Sequence, residues 1–302
     1  KSNLVASATC SNGILKLSEV DFTRKAIYYD TNKTNLKLEK FVPASGAATR
    51  MFKFLIAFLK DFDLENESIN AYINRNKDSE LSLFIIGMDK FPFFEAVTEK
   101  LYSIFPEFDS LDRDHKNYYF IKLLLSTDYF DFASKPKGVL PFHHYKTHIA
   151  TAIEEHLQEC AHYASSNSNS HLHFTISEAH QSQFESVVNA IKSNVENQSG
   201  TVININYSYQ NKSTDTLAVD LENNPFRNEE GNLVFRPGGH GALIENLNNL
   251  DADVVFIKNI DNVIQNNIQK IALYKKALAG VLLEVQQQIF DYLYAIEANG
   301  IQ

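Results

Sequence analysis

The chain has 302 residues, 44% of them hydrophobic and 22% charged, with 28 Lys and Arg against 37 Asp and Glu for a formal net charge of -9. That length suits one large α/β domain or two smaller ones with an ample core. The acidic balance speaks against nucleic acid or an anionic membrane surface as partner, while leaving room for a local basic site.

In chain order, residues 1 to 40 alternate only weakly between apolar and polar groups, and they predict short helices or arms without a core of their own. Phe41 and Val42 read as the end of a buried strand closed by Pro43, which has no ladder donor. Ala44, Ser45, Gly46, Ala47 and Ala48 follow as a turn of small residues, and a helix start carrying Arg50 and Lys53 in its first turn comes next. Apolar positions at helical spacing, such as Phe54, Leu55, Phe58 and Leu59 and later Phe94, Val97 and Leu101, make residues 54–134 a helical block. Within it, Phe91, Phe93 and Phe94 read as hydrophobic core in preference to a cofactor pocket, because helical spacing already accounts for them.

Beyond the block, Val139, Leu140 and Phe142 predict a short strand, and Thr151 to Tyr163 a helix with Ile153, Leu157 and Cys160 inward. HLHFTIS reads as an alternating strand, Glu178 to Asn194 as a helix, and Val202 to Tyr209 as a strand with Ile203, Ile205 and Tyr207 on one face. A hairpin closed near Glu230 and Gly231, a glycine turn at RPGGHG, a buried strand at Asp253 to Ile257 and a helix over Val263 to Glu297 complete the chain. In that last helix, Leu278, Val281, Leu282, Val285 and Ile289 are expected to dock on the same chain, although the pattern also suits a partner, and the oligomeric state stays open. The whole reads as a single α/β domain, 1–302, with a βαβ rhythm and a helical insertion at 54–134. Because it begins at Lys1, it is read as a fragment of a longer protein.

The chemistry gathers in segments placed at the C-terminal ends of strands, where open α/β sheets bind ligands. Small side chains at Ala44, Ser45, Gly46 and Ala47 expose backbone to an anion, and free N–H groups with a helix dipole favour negative charge there. Cations at a helix N-terminus are poorly placed on dipole grounds, so Arg50 and Lys53 are better explained by a bound anion than by helix stability. A plain surface ion pair is the competing reading for Arg50, tight-turn duty for the RPGGHG glycines, and an ordinary turn acid for Asp261.

Through PASGAATRMFK, KPKGVLPFH, STDTLAVD, PFRNEEGNLVFRPGGHGALIENLN and FIKNIDN, most of the chain resembles the DUF4301 family of uncharacterised bacterial proteins. That family is in turn similar to sugar-1-phosphate nucleotidyltransferases of the UDP-sugar pyrophosphorylase kind. The resemblance implies a nucleotide-diphospho-sugar transferase-like, Rossmann-like mixed sheet flanked by helices. It implies a reaction in which a nucleoside triphosphate and a sugar 1-phosphate give a nucleotide-sugar and pyrophosphate, with Mg²⁺. It also implies roles. Ala44, Ser45, Gly46 and Ala47 would wrap the nucleotide, Arg50 would neutralise the departing pyrophosphate, Gly239, His240 and Gly241 would face the base, and Asp261 would ligate Mg²⁺. Either Lys137 or Lys53 would be the phosphate lysine. A protein that binds nucleotide or nucleotide-sugar without turning it over is the alternative.

Cys10 and Cys160 lie far apart and form neither a disulfide framework nor a CxxC site, which fits a cytoplasmic protein. No apolar run approaches the length that spans a bilayer. A zinc site at His144, His148, Glu155 and His156 is a weaker reading, since HxxxH needs one continuous helix and Pro141 lies just upstream.

Overall fold

A computed structural model of the chain describes residues 3–299. Four parallel strands form the centre: β1 at Leu38–Pro43, β2 at Asn169–Ile176, β3 at Val202–Tyr209 and β4 at Val254–Ile257. They lie side by side in the order β3-β2-β1-β4. The two-residue strand Ser165–Ser166 runs antiparallel to the start of β2, so the sheet is mixed. β1 is buried along its whole length, as expected for a central strand covered on both faces.

One face of the sheet carries Leu38, Val42, Leu172, Phe174, Ile203 and Phe256 into the main core. Ile205 and Tyr207 join it, as their alternation with polar residues predicts. Against this face pack α7 (Ala152–Tyr163) and α8 (Gln181–Ser199), which lie in the first and second crossovers. The third crossover, 210–253, lays the short helix α9 (Ile244–Asn248) on the opposite face. There Asn246 Nδ2 donates to Ser208 Oγ and to the Tyr209 carbonyl, both at 2.9 Å. The chain therefore changes sides between β1 and β4, and the crevice at their C-terminal ends is the topological switch point.

The N-terminal region departs from expectation. Ser18 caps α1 (Glu19–Asn32) by accepting the Asp21 N–H, and Ala26 and Tyr29 of this helix are buried in the core. The Tyr29 hydroxyl donates to the Tyr163 carbonyl at 2.6 Å. A helix was expected in this region, but not that its narrow apolar stripe would join the main core through Tyr29. At the other end α10 runs Ile268–Asn299, not from Val263, because Asn266 and Asn267 adopt left-handed backbone (φ 64° and 58°). It packs on the body of the protein through Ala279 and Leu283, whereas Leu278, Leu282, Val285 and Ile289, expected to dock there, are exposed.

Between β1 and α7 the chain makes α2 (Lys53–Asp61), α3 (Ile69–Asn76), α4 (Ser79–Gly87), α5 (Phe94–Ile104) and α6 (Arg113–Leu125). They share a second, aromatic-rich core that includes Phe58, Phe84, Phe93, Phe120 and Phe132. Phe94 stacks on Phe120 at 5.5 Å, and Phe91 and Phe93 stack at 5.1 Å on the wall of an apolar cavity of about 220 Å³. Met51 and Phe142 also line that cavity, which sits where the helices meet the turn after β1. Lys137–Val139 is a 3₁₀ turn and the strand begins at Pro141, two residues later than its apolar pattern suggests. Among the described residues no helix is long and apolar enough to cross a membrane.

Candidate functional site

The turn after β1 is held at both ends and open in the middle. The Ala44 N–H donates to the Thr175 carbonyl of β2 at 2.8 Å, and the Ala48 N–H donates to the Lys135 carbonyl at 2.9 Å. Between them, the N–H groups of Ser45, Gly46 and Ala47 make no hydrogen bond to the protein among the described residues. Gly46 faces open space, so nothing keeps a ligand from the backbone there. The Ala48 methyl points away into the helical core. Three successive donors left unpaired at the end of a buried strand are a place where an anion can bind.

The helix start differs from its prediction. Ala48–Arg50 is a 3₁₀ turn and α2 begins only at Lys53, with no side-chain cap. Arg50 thus precedes the helix instead of sitting in its first turn. Arg50 and Lys53 are both exposed, and among the described residues neither has an ion pair or side-chain hydrogen bond. The surface ion pair that competes for Arg50 is not formed.

After the helices the chain returns to the same turn. Ala47 bridges Pro136, and the Lys137 N–H approaches the Gly46 carbonyl at 3.4 Å. Residues following β4 arrive from the other side, where the Ile260 N–H donates to the Pro43 carbonyl at 3.3 Å. Lys137 and Asp261 meet across this crevice, Nζ to Oδ2 at 2.5 Å, both partly exposed. Residues 44–47, Lys137 and Asp261 are therefore brought together at the switch point, although about ninety residues separate the turn from Lys137 and more than a hundred separate Lys137 from Asp261.

The RPGGHG turn lies elsewhere. His240–Leu243 is a 3₁₀ turn leading into α9, at the C-terminal end of β3. A side chain at Gly238 would meet the Thr214 carbonyl at 2.8 Å, so this glycine serves close backbone packing. Gly239 and Gly241 face open space, and the His240 side chain lies outside the described residues. Among the described residues no hydrogen bond or ion pair joins this turn to 44–50, Lys137 or Asp261.

Beneath the crevice is a buried charge cluster that the sequence reading missed. Glu159 of α7 receives Lys40 Nζ of β1 at 2.9 Å, Lys258 Nζ from just past β4 at 2.5 Å, and the Tyr163 hydroxyl at 2.9 Å. Burial works to raise the Glu159 carboxyl, but the Lys40 charge and the Lys258 hydrogen bond outweigh it and hold it at about 2. Burial likewise brings Lys40 down to about 8 against the pull of Glu159. His156, fully buried, donates its Nε2–H to the Ile260 carbonyl at 3.2 Å, while its Nδ1 has no hydrogen-bond partner among the described residues. Burial and then the Lys40 charge keep this imidazole well below the usual histidine range, so it is neutral. The cluster joins β1, α7 and the segment that carries Asp261. Its signal was a lysine inside one apolar strand, LEKFVP, and a second lysine directly after another, VVFI.

The zinc reading fails on geometry. His144 ends the strand Pro141–His144, which pairs with Ile149–Thr151 as a hairpin, so His144 and His148 share no helix. His143 Nδ1 instead donates to Glu155 at 2.7 Å and His148 Nε2 to Glu154 at 2.9 Å, beside a cavity of about 270 Å³ also lined by Tyr145 and Ile264. Among the described residues no group of three His, Cys, Asp or Glu side chains is placed to hold a metal ion.

Comparison with curated proteins and with solved structures gives no match. The family model described as "Domain of unknown function (DUF4301)" matches residues 1–302, and the chain belongs to that family.

Proposed function

We propose that the crevice between β1 and β4 binds the phosphates of a nucleoside triphosphate, and that the protein joins it to a sugar 1-phosphate to give a nucleotide-sugar and pyrophosphate in the cytoplasm. The observation that carries this reading is the meeting of Lys137 and Asp261 beside the unpaired amides of Ser45, Gly46 and Ala47. The strand order β3-β2-β1-β4, with its switch point between β1 and β4, is what supports a nucleotide-diphospho-sugar transferase-like reading of the fold, with 54–134 as its helical insertion.

Attack of a sugar-phosphate oxygen on the α-phosphorus needs in-line positioning and charge neutralisation, without a covalent nucleophile on the protein. The loop amides hold phosphate oxygens, Lys137 swings from Asp261 onto phosphate, and the unpaired Arg50 and Lys53 receive the charge of the leaving pyrophosphate. Gly239, His240 and Gly241, at the end of β3, face the base. Asp261 offers one hard oxygen ligand of the kind Mg²⁺ takes, with phosphate and water completing the shell. Mg²⁺ held there would neutralise charge on the phosphates.

Nucleotide binding without turnover is the second reading, favoured by one observation: Lys137 already sits on the Asp261 oxygen that a metal would need. A thermal-shift screen of nucleoside triphosphates and nucleotide-sugars, with and without Mg²⁺, tests both. Ligand at a hundred times its Kd adds about 2.7 kcal/mol of stability. Catalysis requires Mg²⁺-dependent pyrophosphate release that Asp261→Ala abolishes. Stabilisation without Mg²⁺ and without turnover across sugar phosphates establishes the binding reading, and no stabilisation by any nucleotide overturns both.

A further inference from the structure

The cavity of about 270 Å³ beside the two His–Glu pairs plays no part in the crevice chemistry, since none of residues 44–50, Lys137 and Asp261 lines it. Helix α7 contributes Glu154, Glu155 and Gln158 to its lining. The hairpin at 141–151 adds Tyr145 and His148, and the segment between β4 and α10 adds Ile264 and Asn266.

Hydrogen bonding leaves half of each carboxylate unused. His143 Nδ1 and the Tyr145 hydroxyl both donate to Glu155 Oε1, at 2.7 and 2.8 Å, and His148 Nε2 donates to Glu154 Oε1 at 2.9 Å. Among the described residues no donor reaches the Oε2 atom of either glutamate. The Glu155 and Glu154 side chains are only 7% and 10% exposed, yet neither Oε2 is sealed from its surroundings. Both residues line the cavity, and there the free oxygens meet open space.

Their charge is unmatched as well. No lysine or arginine lines the cavity. The donors are a phenol and two imidazoles, and the Thr147 hydroxyl stands 3.1 Å from His148 Nδ1, where a neutral ring accepts a hydrogen bond. His162, also in the lining, gives its Nδ1–H to the Gln158 carbonyl at 2.8 Å. Two carboxylates buried to this degree among uncharged donors are costly unless a cation joins them.

We propose that this cavity binds a small organic cation, an amine or guanidine on a short aliphatic body. Its N–H groups donate to the free Oε2 atoms of Glu154 and Glu155 in charge-assisted hydrogen bonds. Tyr145 and His148, stacked at 5.2 Å with 11° between their planes, present the flat aromatic wall that such a cation favours. Ala150, Ile264 and Ile268 give the cavity an apolar part for the aliphatic body. A metal ion is the poorer occupant, because among the described residues no three His, Cys, Asp or Glu side chains are placed to hold one.

Isothermal titration of the full chain with agmatine and with putrescine at neutral pH tests this, and it does not depend on nucleotide binding. The control is 1,4-butanediol, which has the length of putrescine and no charge. Both cations should bind saturably and the diol should not. Glu154→Gln and Glu155→Gln keep an acceptor for each protein donor and should each weaken agmatine at least about tenfold, the scale of one hydrogen bond to a charged group. Ile264→Trp fills the cavity from a residue that is 54% exposed, so it leaves the fold intact by circular dichroism and should weaken agmatine as strongly. Absence of binding by either cation, diol binding as tight as that of putrescine, or agmatine affinity unchanged in Ile264→Trp and in the folded glutamine variants overturns the proposal.

Discussion

Two sets of lysine and carboxylate partners lie at the same edge of the sheet, one above the other. Lys137 and Asp261 meet in the open crevice, with side chains 22% and 39% exposed. Lys40, Glu159 and Lys258 meet below it and are almost entirely out of solvent. The same chemical pairing is cheap to separate in the first case and costly in the second, because water replaces a lost partner only where it can reach. The lower cluster therefore fixes the strands that deliver the loop and Asp261, while the upper pair is free to exchange its partners for a ligand.

Removing the shared carboxylate breaks this contrast most severely. Glu159→Gln leaves two buried ammonium groups with no counter-charge, and the expected loss is about 3–5 kcal/mol in urea unfolding. Lys40→Met keeps a one-to-one pair of Glu159 with Lys258 and removes the ion whose burial costs most, so it should cost far less. Equal losses in the two variants would show that Lys40 and Lys258 do not depend on Glu159 in the way the geometry requires.

The lower cluster also makes stability depend on pH. His156 is neutral in the folded protein, while an unfolded histidine takes up a proton near its ordinary value of 6.5. The unfolded state thus binds more protons as pH falls below about 6.5, and stability declines there. Glu159, held at about 2 when folded against 4.5 ordinarily, adds a second loss that begins below about 4.5. Urea unfolding at stepped pH should show both limbs. His156→Gln should remove most of the first, leaving the half-buried His180, whose burial also lowers it, to supply the remainder.

Much of the frame was legible from local pattern. The alternation in VININYSY and the apolar run in DVVFIK marked two of the four central strands, because side chains on a sheet repeat every two residues. The buried cluster was not legible in that way. Lys40 and Glu159 are 119 residues apart and meet only after strand pairing brings β1 beneath α7, so no window along the chain contains both. The candidate site was intermediate. Local composition pointed to the turn at 44–48 and to Asp261, but the choice between Lys53 and Lys137 depended on where the chain returns after five helices. Lys53 opens α2 as its pattern predicts, whereas Arg50 lies in a 3₁₀ turn ahead of the helix, where the Ala48 N–H bonds to the Lys135 carbonyl.

The smallest stability effect is the one that sharpens the functional side of the comparison. Lys137→Ala and Asp261→Asn each remove one member of a partly exposed pair, and their unfolding free energies should stay within about 1 kcal/mol of the wild type. Their effects on ligand binding should then diverge. Lys137→Ala removes the proposed phosphate donor and should abolish the thermal shift given by a nucleoside triphosphate without metal. Asp261→Asn frees Lys137 and removes a negative charge from the crevice, so it should preserve or enlarge that shift while losing any Mg²⁺-dependent increment. If both variants lose the metal-free shift alike, the pair acts only as a clasp between the segments after β1 and β4. If neither variant alters it, the anion binds away from this crevice, and the unpaired amides of Ser45, Gly46 and Ala47 are not its seat.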